Sequence, residues 1–171
     1  MTPLWRWLNL IFCFLDSLIY CHRMRISSPA FTDHGNVPGK YTCDGQNVNP
    51  PLLFEEVPAN AKILALVVDD PDSPSGTWTH WTVWNIDPNV TEIPENSVPP
   101  GAVEGITSFK RSGWGGPCPA SGIHRYFFKL YALDGELVGL TPQSSEEEVK
   151  TAMNGHLVAT AELVGLYSRS R

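Results

Sequence analysis

Prolines set the outer limits of what this chain can fold into. Its 171 residues include 15 prolines and 14 glycines. Pro29, Pro38, Pro50, Pro51 and Pro58 punctuate residues 24–60. A proline ring removes a backbone donor and clashes with the preceding helical turn, so that stretch cannot form a long helix. It reads as short strands and turns. Residues 87–122 are again rich in proline and glycine. They read as a long, irregular loop, ordered because it carries Phe109 and Trp114.

Strand-like runs fill the rest. Ile63–Val68 is a continuous apolar run of the length a buried strand uses. Asp69-Asp70-Pro71-Asp72-Ser73-Pro74 follows, and the strand is expected to stop there, with its carboxylates at the sheet's edge. His80-Trp81-Thr82-Val83-Trp84 opens a second strand, 80–86. Residues 124–133 are apolar on both faces, as an interior strand should be. Residues 156–167 make a last strand, with Leu157, Ala159, Ala161 and Leu163 on one face. One helix is expected, over 145–153. Ser144 and Glu147 have capping-box spacing, and Asn154-Gly155 supplies the stop. Many short strands and one helix predict a mainly β (all-β) fold: an antiparallel β-sandwich of two sheets with short peripheral helices.

The apolar content of 42% and charged content of 18% suit one globular domain. A net charge of -6 and the lack of a basic run argue against nucleic acid as a partner. Residues 1–23 stand apart, and the domain is taken as 24–171. Leu10–Leu15 is apolar, but Arg6, Asn9 and Asp16 break the surrounding stretch. A spanning helix wants about 20 unbroken apolar residues. Ile19-Tyr20-Cys21-His22 is a poor signal-cleavage site. The segment is therefore read as an upstream extension that adds nothing to the fold of a cytoplasmic protein; a signal or membrane anchor is the alternative. Cys13, Cys21, Cys43 and Cys118 form neither a disulfide framework nor a C-x-x-C pair, and Cys118 is expected to be a buried, inert thiol.

The chemistry gathers at strand ends. Asp70 and Asp72 leave the first strand, His80 opens the second, and His124 precedes the third beside Gly115-Gly116-Pro117. Alone, each has an ordinary reading, as a turn residue or a hydrogen-bonded histidine. Together they suit a phosphate or carboxylate: loop N–H groups hold the oxygens, and a protonated histidine adds charge-assisted bonds. Asp70 is expected to act through His80, raising its pKa, or through a ligand cation such as an ammonium, since a bare carboxylate repels an anion. Zinc is disfavoured by the absence of H-E-x-x-H, and a serine hydrolase by the absence of G-x-S-x-G.

Several separated stretches resemble one family. Asp69–Pro74, Trp78-Thr79-His80-Trp81 and Gly116-Pro117-Cys118-Pro119-Ala120-Ser121-Gly122-Ile123-His124-Arg125-Tyr126 look like the phosphatidylethanolamine-binding proteins. Met24–Phe31, Tyr41-Thr42-Cys43-Asp44-Gly45 and His156–Gly165 fit their bacterial and archaeal Raf-kinase-inhibitor-like branch. The resemblance implies a non-enzymatic binding protein without cofactor or metal. Its pocket would use Asp70, His80, Gly116, His124 and Tyr126, with Pro71, Asp72, Pro74 and Pro117 supporting the loops. Its partner would be a small anionic ligand or a phospholipid head group. A protein partner, such as a kinase or protease held by a surface loop, is the second reading, and a homodimer is left open. Thr79 replaces a second histidine of animal members. Their closing C-terminal helix has no counterpart here, so the resemblance implies a more open pocket.

Overall fold

The apolar run starting at Ile63 becomes β4, Ile63–Asp70, and forms the middle of a six-stranded sheet in the computed structural model, which describes residues 23–169. β5 is Trp78–Ile86, β8 is His124–Leu133 and β9 is Leu157–Tyr167. Two-residue strands β2, Gly35–Asn36, and β7, Val103–Glu104, complete the order β2-β9-β8-β4-β5-β7. β1 (Arg25–Ser27), β3 (Leu52–Glu55) and β6 (Glu92–Ile93) make a second sheet, ordered β1-β3-β6. The long ladders are antiparallel, and only β2 pairs in parallel, with β9. The two-sheet, mainly β architecture is the one expected.

Strand alternation builds the core. Leu64, Leu66 and Val68 of β4 and Tyr126, Phe128, Leu130 and Ala132 of β8 face the smaller sheet's Ile26, Leu52, Phe54 and Ile93. All are almost wholly buried. The other face of the large sheet is covered by helix α1, Glu146–Ala152, through Val149 and Met153 on Ala65, Trp84 and Leu133. This double covering makes β8 apolar on both sides. Leu157 departs from its expected face. A register shift between Ala132 and Leu133 displaces it, and it is 56% exposed.

Several expected boundaries move. β4 continues through Asp69 and Asp70, because a carboxylate does not stop a ladder and Pro71 is the first residue without an N–H. β5 starts two residues earlier than expected, at Trp78. The capping box is Ser145 with Glu148, not Ser144 with Glu147. Tandem serines offer the same spacing twice, and Ser144 is used elsewhere: its Oγ accepts from the Thr141 N–H and its carbonyl from Ile106. The 87–122 stretch is not one irregular loop. It contains β6, β7 and a bridge between Ile106 and Ser112, and it is laced to β5 by Gly105, Ser108 and Gly115 N–H groups. Cys118 is not a buried thiol either. It is exposed and joined to Cys43 in a disulfide across 75 residues, a separation too long for any local pattern to reveal.

Among the described residues, no helix is long and apolar enough to cross a membrane. The expected extension, apart from Arg23, lies outside the described residues.

Candidate functional site

The period of two that fills the core also aims the polar residues at its end. On β4 the core-facing series Leu64, Leu66, Val68 continues to Asp70. On β8 the series Ala132, Leu130, Phe128, Tyr126 continues to His124. His80 needs an irregularity. The register passes from Val68↔Trp81 to Asp69↔Thr79, so β5 carries one extra residue there. A bulge of this kind re-aims a side chain. Trp81 and His80 consequently both turn toward the core side: Trp81 packs edge-on against Trp114, and His80 against Tyr126.

Asp70, His80 and His124 line a cavity of about 200 Å³, with Ser73, Pro74 and Trp78 among the other lining groups. That is smaller than a drug-sized pocket of about 300–1,000 Å³ and suits a small group. Ser75 adds a second hydroxyl, and the rest of the wall is mostly apolar: Phe109, Pro119 and Ala120 complete it, beside Cys118. The Phe109 ring stands edge-on to both Trp78 and His80, at 5.4 Å between centroids. Among the described residues no lysine or arginine lines this cavity.

Both imidazoles are anchored through Nδ1. His124 Nδ1 meets Asp70 Oδ2 at 2.7 Å, and Asp70 Oδ1 accepts from the Asp72 N–H at 2.8 Å. Asp70 and His124 side chains are only 5% and 12% exposed. The expected Asp70–His80 pair does not form. His80 Nδ1 instead faces the Gly115 carbonyl, while the Gly115 N–H donates to the His80 carbonyl. A carbonyl only accepts, so Nδ1 carries the proton and Nε2 presents a lone pair. The His80 pKa is correspondingly lowered, not raised. Burial outweighs the Gly115 hydrogen bond and the Asp70 charge.

Gly116 has a different place from the one expected. Its N–H donates to Asn47 Oδ1 at 2.7 Å and is not available to an anion. A Cβ there would lie 2.5 Å from both Asn47 Oδ1 and the Tyr41 carbonyl, so glycine is required by close packing. Tyr126 is buried beneath the site. Its hydroxyl turns toward the Cys118 backbone without reaching hydrogen-bond geometry and has no partner among the described residues. Burial first, then the Asp70 charge, pushes its pKa upward.

The supporting residues act through the loops. Pro71 ends β4, Pro74 lines the cavity, and the Pro117 carbonyl accepts from the Cys43 N–H. Asp72 grips Arg125 with both oxygens and also accepts its backbone N–H. The Arg125 side-chain bonds hold the Asp72 carboxyl at about 2. Sequence reasoning did not single out Asn47, Phe109 or Trp78 as parts of this site. The aromatics had only their place near the motifs as a signal, and Asn47 had none.

A larger cleft, about 610 Å³, lies on the opposite face of the sheet beside α1. It holds neither histidine. Next to it Asp69, wholly buried, takes Lys129 Nζ at 2.7 and 2.8 Å, with Lys150 at 3.7 Å. Lys150 also closes on Glu146, which accepts from the Thr79 hydroxyl. Burial raises the Asp69 pKa, with the Lys129 bond opposing it. Among the described residues no group of three His, Cys, Asp or Glu side chains is placed to hold a metal ion.

The same arrangement of strands occurs in known proteins. A crystal structure from Chlamydia trachomatis, described as a homologue of phosphatidylethanolamine-binding protein, superposes with a TM-score of 0.83 at 40% identity, covering 87% of this chain and 99% of that one. Escherichia coli YbcL, described as a member of the mammalian family, gives 0.81 at 32% identity, covering 86% and 99%. A UPF0098 protein of Methanothermobacter thermautotrophicus is 49% identical over 151 residues, 85% of this chain and 99% of that one. The family model described as phosphatidylethanolamine-binding protein matches residues 27–168. This chain therefore belongs to the phosphatidylethanolamine-binding protein family and is of the UPF0098 type.

Proposed function

We propose that the protein is a non-enzymatic binder of a small phosphate-type or carboxylate anion, such as a phospholipid head group. One observation carries this reading. Both histidines that line the cavity spend Nδ1 on a fixed protein partner, so each leaves Nε2 for an occupant. Asp70 positions His124 and is itself used up, so it does not confront the ligand as a bare charge.

The two rings ask for different atoms. Neutral His80 accepts from a ligand O–H, whereas His124 donates once it takes a second proton. A singly protonated phosphate group answers both. The apolar walls strengthen these bonds by excluding water. Among the described residues no lysine or arginine lines the wall and His80 is neutral, so positive charge must come from His124 taking its second proton, and affinity should rise as pH falls.

The test is a titration with inorganic phosphate and with phosphorylethanolamine, followed by the ring signals of His80 and His124. Both rings should shift, and more at pH 6 than at pH 8. His124→Ala should weaken binding by roughly 1.5–3 kcal/mol, the usual worth of a charge-assisted bond. Rings that stay unmoved at millimolar concentrations of both probes refute the reading. A response to phosphorylethanolamine but not to phosphate would identify the head group as the recognised unit.

A further inference from the structure

We infer that the Cys43–Cys118 disulfide is a redox switch on this pocket, setting whether its outer wall is held in place; the inference rests on the anion-binding reading of the site. Cys118 lines the cavity, and Pro119 and Ala120 continue the same wall. The wall then runs through Ser121, Gly122 and Ile123 to His124 on β8. Among the described residues, Pro119–Ile123 make no backbone–backbone hydrogen bond outside the sheet. Cys118 lies between Pro117 and Pro119, neither of which has an N–H to offer. Ile123 is 66% exposed and fastens nothing. Beyond Pro117, whose carbonyl already holds the Cys43 N–H, the disulfide is what ties this wall to the 41–47 turn.

The inner part of the loop is held differently. Trp114 Nε1 donates to the Tyr41 carbonyl, Gly116 N–H to Asn47, and Cys43 N–H to Pro117. Those bonds survive reduction and keep Gly115 under His80. The consequence of reduction is therefore local: the outer wall is freed, the His80 anchor stays, and the sheets are untouched. A wall that must be ordered by the ligand costs affinity that a pre-ordered wall does not.

Both cysteines are exposed, so a reductant can reach the bond. The reductant proposed is a dithiol. One of its thiolates attacks a sulfur of the disulfide, the S–S bond breaks and a mixed disulfide forms. Its second thiolate displaces the protein sulfur. Two electrons and two protons pass to Cys43 and Cys118, and the reductant leaves as its own disulfide.

The experiment uses the full chain with Cys13→Ser and Cys21→Ser, so that only the paired cysteines respond. Backbone 15N relaxation of Cys118 and residues 120–123 is measured oxidised, after dithiothreitol reduction confirmed by mass, and after reoxidation. Inorganic phosphate and phosphorylethanolamine are titrated in each state. Reduction should lower order parameters in that segment from about 0.85 to below about 0.6. Affinity should fall roughly tenfold and return on reoxidation. Cys43→Ser with Cys118→Ser should match the reduced protein. A reduced wall as rigid as the oxidised one overturns the inference, and so does a loosened wall with unchanged affinity. If the oxidised protein binds neither probe, the anion reading fails instead, and the relaxation alone decides whether the disulfide switches this wall.

Discussion

Asp69 and Asp70 are neighbours on β4, almost equally buried, yet they belong to two different kinds of site. Alternation sends Asp69 to the helix side and Asp70 to the core side. Asp69 meets two lysines, and Glu146 balances the second. Two acids and two bases pair with one another, although the buried Glu146 Oε1 has its ion pair with Lys150 and no hydrogen bond among the described residues. Asp70 meets an imidazole and a backbone N–H, and the imidazole keeps a second nitrogen. The pocket side is incomplete without an occupant. The volumes run the other way, about 610 Å³ beside the closed cluster and about 200 Å³ at the open one. Unspent hydrogen-bonding capacity, not space, marks the candidate site.

The comparison breaks most visibly at Asp69. Asp69→Asn removes the charge that Lys129 and Lys150 share in a buried place. Breaking such a pair costs about 3 kcal/mol, at the low end of the usual range because Lys129 keeps partial contact with water. Urea denaturation should show the loss while phosphate binding persists. An unchanged midpoint would mean the four charges do not act as a unit.

His80 gives a pH signature of intermediate size. Its folded pKa lies below the ordinary histidine value of 6.5, chiefly through burial. Between the folded value and 6.5 the unfolded chain binds more protons, so stability rises with pH. The contribution is complete above about 6.5 and is lost as pH falls through the folded value. His80→Phe should flatten this part of the profile, read as the difference between wild-type and variant urea midpoints from about pH 4 to pH 8. Parallel profiles would show that His80 is not buried as a neutral ring.

Asp72 should matter least, being paired at the surface with an exposed Arg125. Asp72→Asn should lower the melting temperature only slightly at neutral pH, and less still in high salt. Its carboxyl falls from the ordinary aspartate value of 3.8 to about 2, so its contribution is full above about 4 and disappears as pH falls through 2. A difference from wild type that survives at pH 2 would assign its role to shape instead of charge.

Local patterns made much of the fold readable before any tertiary contact was known. β8 was legible to the residue, because its mostly apolar run starts at the polar His124 and stops before Asp134. The prolines excluded long helices by chemistry that acts within one turn. Asp70, His80 and His124 could be named because each sits at the end of such a run, whereas Tyr126 was named only through the family resemblance. Boundaries set by competing local options were not decidable: tandem serines offered two equal caps, and acids at the end of β4 looked like a turn.

What the histidines do was decided only in three dimensions. Asp70 pairs with His124 across 54 residues, and His80 with Gly115 across 35. No spacing along the chain encodes either choice. The downward direction of the His80 pKa shift came from burial, which outweighs the Gly115 bond and is a property of everything packed around the ring. The bulge that turns His80 toward the core depends on the register between β4 and β5. The Cys43–Cys118 bond depends on the large sheet bringing two loops together. Alternation and turn chemistry are short-range and can be read in the amino-acid order. Partner choice, burial and register are long-range, and this protein settles them only by folding.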